Sequence, residues 1–470
     1  MIAKRKRRRR AARKSFIADG VTPIAAYLAL TRVRPGPAFL FESAPSPEAT
    51  SRYSVIGLGV RGELRAADGA CRLFVDGSRV TEPGRDPLWA ARTLMRELRP
   101  ADEALVDMPF LGAYGAAAFE FAGYLERLPP VPRGDDPMPD LHLVVPETLV
   151  VFDHFTHRVS VGTLADGDGE IRADGDVLEA LERAQVALLD SQLAGSALAE
   201  EVLRSPLPFE RAAARAKEAI AAGDAYQVVL SRRWIVYARV KPFDAYRMLR
   251  AINPSPYMFY LDLGWGQLFG SSPEMLARLD RRRARVRPLA GTRPRSANLD
   301  ADRRLAAELR RDPKERAEHV MLVDLGRNDV GRVSRFGSVR TTRLFEVERY
   351  SHVMHLMSEV VGSLRSECDA FDLFAAAFPA GTVSGAPKIR AMELIAELEG
   401  ARRGFYAGSV AHFGFAGSME ACITLRSAHA YNGRFIAQAG AGIVADSEPA
   451  AESRECAAKA RAVMEALGAG

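Results

Sequence analysis

Three stretches of the chain carry apolar residues at helical spacing behind a start that combines a polar cap with proline. Asp86-Pro87 precedes apolar positions from Leu88 to Leu98, Asp312-Pro313 precedes Val320, Met321, Leu322 and Leu325, and Ser447-Glu448-Pro449 precedes Ala450, Ala458 and Val463. A side-chain oxygen satisfies the free N–H groups of a first turn and proline pre-sets its φ, so each stretch is predicted to be a helix. The second is expected to break at Gly326 and the third to run to Gly468. A fourth helix is predicted behind Ser384 as N-cap, with Pro387 in its first turn, Ile389, Met392, Ile395 and Leu398 on one stripe, and Gly400 as C-cap. Val177 to Leu193 reads as a further helix. Residues 15–163 look strand-rich, with apolar runs at Leu141-His-Leu-Val-Val and Leu149-Val-Val-Phe-Asp. Asp166-Gly-Asp-Gly169 is a turn-rich break, and a boundary is expected near 195–207. The chain thus divides into a basic, disordered tail (1–14), an amino-terminal domain (15–200) and a second domain (201–470). Periodicity by itself supports a mixed α+β protein.

Composition narrows the class. A chain of 470 residues with 48% hydrophobic content can bury a large core. No apolar stretch reaches spanning length and no apolar segment follows the basic start, so a cytoplasmic protein without membrane contact is expected. Cys71, Cys368, Cys422 and Cys456 are scattered, without metal-like or disulfide-like spacing. The net charge is +6, but Lys4 to Lys14 holds nine basic residues and no acid, leaving 6 − 9 = −3 for the remainder. That run is the sole support for a nucleic-acid-binding reading; a solvated end is the expectation.

Candidate chemistry begins with two pairs of carboxylates. Glu315 and Glu318 fall on one face of the helix after Asp312, and Glu452, Glu455 and Lys459 on one face of the last helix. Such pairs build an oxygen-rich magnesium site, although acids near a helix start are also simply favourable to its dipole. Turn-and-polar insertions then punctuate the apolar runs: Asn253-Pro-Ser-Pro-Tyr-Met-Phe-Tyr260, Gly270-Ser-Ser-Pro-Glu274, Pro288-Leu-Ala-Gly-Thr-Arg-Pro-Arg295, Asp324-Leu-Gly-Arg-Asn-Asp-Val-Gly331, Ser351-His-Val-Met-His-Leu356, Gly381-Thr-Val-Ser-Gly-Ala-Pro-Lys388 and Gln438-Ala-Gly-Ala-Gly-Ile-Val444. Loops at strand ends are where sites are assembled. The start of the Gly381 segment offers N–H groups and Thr382 to an anion, and the Gly-x-Gly at 440–442, expected just after a strand, lets a ligand approach the backbone. His355 lies in an apolar run, where a histidine is more often core than base.

Taken together, these motifs resemble those of anthranilate synthase large subunits, in the chorismate-utilising enzyme family, over about residues 15–467. The resemblance implies an α/β/β/α sandwich of two packed sheets flanked by helices. It implies Mg2+ held by Glu318 and Glu455 with Glu315 and Glu452 in support, and chorismate bound by Thr382, Tyr406, Arg426, Gly440, Ala441 and Gly442, with Gly291, Thr292 and Lys459 completing the pocket. Glu274 corresponds to the acid at the leaving C4 hydroxyl and His355 to the residue needed for pyruvate elimination. Gln227 stands where isochorismate-forming relatives carry a water-activating lysine, and Ala290 where many aminodeoxychorismate synthases carry a nucleophilic one. Both departures favour anthranilate synthase over those sisters; an aminodeoxychorismate, aminodeoxyisochorismate or isochorismate synthase of the same family is the alternative. Phe39-Leu-Phe-Glu-Ser43 resembles the family's tryptophan-binding motif, with Ser43, Pro256, Tyr257 and Met258 lining a feedback site. No cysteine sits in a Gly-x-Cys-x-Gly elbow, so a separate glutamine amidotransferase subunit is expected to supply ammonia.

Overall fold

The computed structural model describes residues 9–44, 52–80, 86–100, 108, 110–166, 175–185, 197–201, 207–349 and 353–469. Two antiparallel sheets, each of twelve strands among the described residues, pack together and carry helices on their flanks. One sheet runs from edge to edge through Arg9–Ile17, Arg158–Asp166, Thr148–Asp153, Tyr53–Leu58, Ala38–Glu42, Tyr257–Asp262, Gln267–Ser272, Ser427–Tyr431, Arg434–Ile443, Gln227–Tyr237 and Leu198–Glu201. The other runs through Leu289–Pro294, Val353–Ser363, Arg283–Val286, Met275–Asp280, Met419–Ile423, Ser409–Gly414, Gly112–Ala117, Leu141–Val145, Gly62–Ala67, Ala70–Val75 and Ser78–Arg79. The halves on either side of residue 200 share both sheets. They join where Phe41 pairs with Phe259 in the first sheet and Ala116 with Val410 in the second. One apolar core accordingly contains Phe39, Leu143, Phe259, Phe413 and Ala460.

The cap-and-proline helices form as their sequences predict. Asp86 Oδ1 accepts from the N–H groups of Leu88 and Trp89 (2.8 and 3.2 Å), Asp312 Oδ1 from those of Lys314 and Glu315 (3.0 and 3.3 Å), and Glu448 Oε2 from that of Ala451 (2.7 Å). Gly400, with φ +61°, closes the helix Lys388–Glu399.

Elsewhere tertiary contacts override local signals. The helix Pro313–Gly331 runs straight through Gly326, where a Cβ would lie 3.0 Å from Val286 Cγ2; the glycine permits close packing on a strand and does not end the helix. Ser384 is no N-cap: it is fully buried and donates to the Ala380 carbonyl (2.8 Å). Its neighbours Gly385 and Ala386 pair with Val228 and Gln227, so the helix begins at Lys388 with Pro387 as its cap. The predicted helix from Val177 is Gly175–Glu182, and residues 186–193 of that expectation lie outside the described residues, as do 167–169 of the predicted break. The tail is not disordered from Arg9 onward: Arg9–Ile17 is an edge strand paired along its length with Arg158–Asp166. Exposed charges such as Arg13 and Lys14 suit an edge, and the partner strand satisfies the backbone. Residues 1–8 lie outside the described residues.

The hairpin between Met275–Asp280 and Arg283–Val286 turns on Arg281 and Arg282, at φ +46° and +63°. Such two-residue turns favour Asn-Gly, and an L side chain in the left-handed region costs about 1–2 kcal/mol. Because the Arg282 guanidinium also donates to the Arg365 and Cys368 carbonyls, the replacement that isolates the turn is Arg281→Asn, expected to raise stability by about 0.5–1 kcal/mol, read as a higher denaturant midpoint at unchanged slope.

Candidate active site

The side chains singled out in the sequence converge where the chain passes from one sheet to the other. Gln267–Ser272 belongs to the first sheet and Met275–Asp280 to the second, so Pro273-Glu274 is a crossover; Thr424-Leu425-Arg426 is the return crossover between Met419–Ile423 and Ser427–Tyr431. Arg426 is held at φ +46° there. Beside these crossovers lie the 3-10 turn Gly381–Val383 and the first residues of Gln227–Tyr237.

Glu274 is 7% exposed, and Thr382 Oγ1 donates to its Oε1 at 2.8 Å. Burial pushes its carboxyl up to about 7, against the opposing pull of the Thr382 hydrogen bond and the positive charges of Lys459 and Arg426. It is therefore a carboxylic acid able to keep its proton near neutrality. His355, third in the strand Val353–Ser363 and paired with Thr292, has Nδ1 2.9 Å from the Gly291 carbonyl and 3.1 Å from Thr292 Oγ1. A carbonyl accepts, so Nδ1 carries the hydrogen and Nε2 keeps the basic lone pair. Burial holds the imidazole down at about 4, with Arg426 and Lys459 adding to the depression, so the ring is neutral at physiological pH. Gly291 stands at a bulge with φ +67°, and a Cβ there would lie 2.8 Å from Glu315 Oε2, which ties the histidine's support to the acidic helix.

The Gly-x-Gly segment proves to lie within the strand Arg434–Ile443 and not in a turn after it. Both glycines are needed because side chains lie against this strand: a Cβ on Gly440 would meet the Tyr406 hydroxyl at 2.5 Å, and one on Gly442 would overlap the Gln227 amide. Ala441, between them, faces the core fully buried. Lys459 Nζ donates to the Gly440 carbonyl (3.0 Å) and pairs with Glu455 (2.7 Å) from the last helix.

Both predicted carboxylate pairs reach this region. Burial raises the Glu318 carboxyl, and Glu315 and Glu455 raise it further; burial likewise raises Glu452, with Glu455 adding to it. Gln227 Nε2 donates to Glu318 Oε1 at 3.3 Å, while Gln227 Oε1 is buried without a hydrogen-bond partner among the described residues. Glu315 is paired with Arg293 (2.9 Å), a guanidinium that also binds Glu308 and Asp312. Among the described residues no three acidic, histidine or cysteine side chains are drawn together tightly enough to enclose a metal. The donor chemistry nevertheless fits a hard cation: oxygen ligands, mutually repelling carboxylates and an orphaned amide oxygen. Sequence reasoning missed Arg293, which sits in the Pro288–Arg295 motif, and Asn253, whose Oδ1 accepts from Arg426 Nη1 at 3.2 Å.

The second predicted cluster assembles around the junction of the two halves. Met258 pairs with Glu42 beside Ser43, and Ala44 N–H donates to the Ser255 carbonyl (3.1 Å). Tyr257 and Met258 face opposite sides of their sheet: the Tyr257 hydroxyl donates to Glu420 Oε1 (3.2 Å) toward the second sheet, and Met258 packs with Leu40 and Tyr246 on the helical side. Pro256 sits at the turn into this strand, and residues 45–51 lie outside the described residues.

A two-sheet sandwich with a buried acid, a neutral histidine and an acidic helix pair at its crossovers is the architecture of a known class. The chain belongs to the chorismate binding enzyme family, whose model matches residues 36–465. Its relatives include anthranilate synthase component 1 of Thermus thermophilus, 45% identical over 97% of both chains, and that of Streptomyces coelicolor, 44% identical over 97% of this chain and 88% of the other. The crystal structure of anthranilate synthase component I from Streptococcus pneumoniae superposes with a TM-score of 0.76 at 34% identity, covering 89% of this chain and 93% of that one. The isochorismate synthase MenF from Escherichia coli shares the fold, with a TM-score of 0.74 at 20% identity. Among the described residues no helix is long and apolar enough to cross a membrane.

The raised Glu274 carboxyl has a stability consequence whose sign is fixed. The folded protein keeps this proton where the unfolded chain, at an ordinary 4.5, has lost it, so stability falls as pH rises from about 4.5 to about 7. Above that window the buried charge costs on the order of 3 kcal/mol. Glu274→Gln is expected to be stabilising at pH 8 and nearly neutral at pH 4, measured by denaturant titration at both.

Proposed function

We propose that this chain is the synthase component of an anthranilate synthase, converting chorismate and ammonia to anthranilate, pyruvate and water. The observation that carries the reading is a buried Glu274, held by Thr382 with its carboxyl raised to about 7, in one site with a neutral His355 held by the Gly291 carbonyl. Glu274, oriented by Thr382 on Oε1, is placed to give a proton to the departing C4 hydroxyl, which leaves as water while ammonia bonds to C2. His355 Nε2 then takes the C2 proton, the C–H electron pair restores the aromatic ring as the C3–O bond breaks, and enolpyruvate leaves with that electron pair and takes a proton at its methylene carbon to become pyruvate. A dianionic substrate beside Arg426 and Lys459 offsets the charges that depress His355, bringing its basicity nearer the working pH.

Magnesium would be held by Glu318 and Glu455, with Glu315 and Glu452 in support, and would compete with Lys459 for Glu455. When bound it supplies a positive charge to a substrate carboxylate. Arg426 is a natural fork for the other carboxylate, with Tyr406, Gly291, Thr292 and the Gly440–Gly442 backbone shaping the wall. Gln227, a neutral amide, offers no base to activate water, which supports amination over hydration; Ala290 offers no amine for a covalent adduct. The relatives' designation as component 1 supports a separate amidotransferase subunit as ammonia donor, in the cytoplasm.

Tryptophan is the proposed feedback ligand at Ser43, Pro256, Tyr257 and Met258. The hydrogen bond from Arg426 to Asn253 supports a physical link, because the loop that leads into this cluster also holds a substrate-binding guanidinium.

Two tests follow from these assignments. Anthranilate fluorescence from the chain with chorismate, ammonium and Mg2+ is expected to vanish on chelation, and His355→Ala to keep consuming chorismate while anthranilate falls by about 10²–10⁴; normal anthranilate output from that variant overturns the histidine's role, and unconsumed chorismate in the parent overturns the activity. Ser43→Phe is expected to leave turnover intact and relieve tryptophan inhibition by more than tenfold in IC50, and unchanged inhibition removes the site.

A further inference from the structure

The strand Val353–Ser363 leaves the active site at His355 and ends eight residues later, roughly 26 Å away, at Ser363. There Arg281, Arg282, Arg283, Arg335 and Arg340 line a groove of about 720 Å3 together with Ser363 and neighbouring hydroxyls, and no acidic residue lines it. Strand register explains the convergence. Arg283 pairs with Ser363 and Arg340 with Val361, from the two strands on either side; Ser363 and Val361 share a face, so both arginines rise from it. The Arg335 N–H is bonded to the Ser363 carbonyl, which brings a third element to the same point.

The charge here is unlike that nearer the active site. Arg285 and Arg287, next along the same strand direction, are matched by Glu359 (3.1 Å) and by Glu348. Among the described residues Arg281, Arg283, Arg335 and Arg340 have no carboxylate within ion-pair reach, and Arg282 donates to the carbonyls of Arg365 and Cys368. Two of these arginines also occupy left-handed turn positions that suit Asn-Gly, a strain that folding does not require.

We infer that this groove binds a small multivalent phosphate anion of the di- or triphosphate class, at a site separate from catalysis. Guanidinium forks from three elements match several phosphate oxygens at once, and the volume is that of a small-ligand pocket.

The test is calorimetric titration of the full chain with inorganic tripolyphosphate, and in parallel with a nucleoside triphosphate, at about 0.15 M salt, where loose surface attraction is largely screened. Saturable binding at one site is expected. The Arg283→Ala/Arg340→Ala double variant should weaken it more than tenfold with Tm and ammonia-dependent turnover unchanged. The Arg281→Asn variant should also weaken it while being at least as stable as the parent, which separates lost binding from lost folding. Equal affinity for the two anions assigns recognition to the phosphate chain alone, and tighter nucleotide binding adds a contact to the base. Absence of saturable binding, or affinity unchanged in both variants, overturns the inference. So does a result in which the variants lower only glutamine-dependent turnover and no anion binds, since that makes the groove a contact for a protein subunit.

Discussion

One fully buried guanidinium, Arg403, joins the pieces from which the site is made. Its Nε and Nη2 donate to Glu399 (2.8 and 2.6 Å), its Nη1 to the Val383 carbonyl (2.8 Å) and its Nη2 to the Val229 carbonyl (2.6 Å). Glu399 in turn accepts from the backbone and hydroxyl of Ser231. The end of one helix, the turn carrying Thr382 and the strand carrying Gln227 are thereby fixed to each other, and the Arg403 plane lies against the rings of Phe119 and Tyr406. A buried pair of this kind adds little net stability over an apolar substitute, but losing one partner strands the other and costs about 3–5 kcal/mol. Its contribution is geometric: Thr382, Gln227 and Tyr406 cannot drift apart without leaving a charge unsatisfied in the core.

Within that frame the site sorts its ionisable groups by environment. Glu274 and His355 are both pushed toward their neutral forms by burial, which favours the protonated carboxyl of the one and the uncharged imidazole of the other. Lys459 is the shared neighbour: its charge acts on Glu274, His355, Glu318 and Glu452, and its head group is tied to the Gly440 carbonyl. Burial raises the Glu318 carboxyl, and its like-charged neighbours Glu315 and Glu455 raise it further against the pull of Lys459 and Gln227. Asn253 and Arg426 are hydrogen-bonded, so the loop that leads into the strand carrying Tyr257 and Met258 is tied directly to the crossover that carries Arg426.

The local elements of this protein were legible in its sequence wherever the physics is local. Helix starts at Asp86, Asp312 and Glu448, the left-handed cap at Gly400 and the shared faces of Glu315 with Glu318 and of Glu452 with Glu455 follow from hydrogen bonds and angles spanning a few residues. The motifs that mark the family are likewise short and intact. Pairing between distant segments decided the rest: Gly326 serves packing against Val286 and not helix termination, Ser384 is taken into the core when Gly385 and Ala386 pair with Gln227–Tyr237, and the basic segment from Arg9 becomes a strand because Arg158–Asp166 offers it an edge. The division at residue 200 looks like a boundary in composition, yet both sheets cross it, since a strand's hydrogen bonds are satisfied by whichever partner is adjacent in space. Residue types and spacing therefore determined the chemistry available, while the protonation states of Glu274 and His355, the partners of Gln227 and Arg426 and the convergence of arginines at Ser363 depended on burial and cross-strand register, quantities that exist only once the sheets have formed.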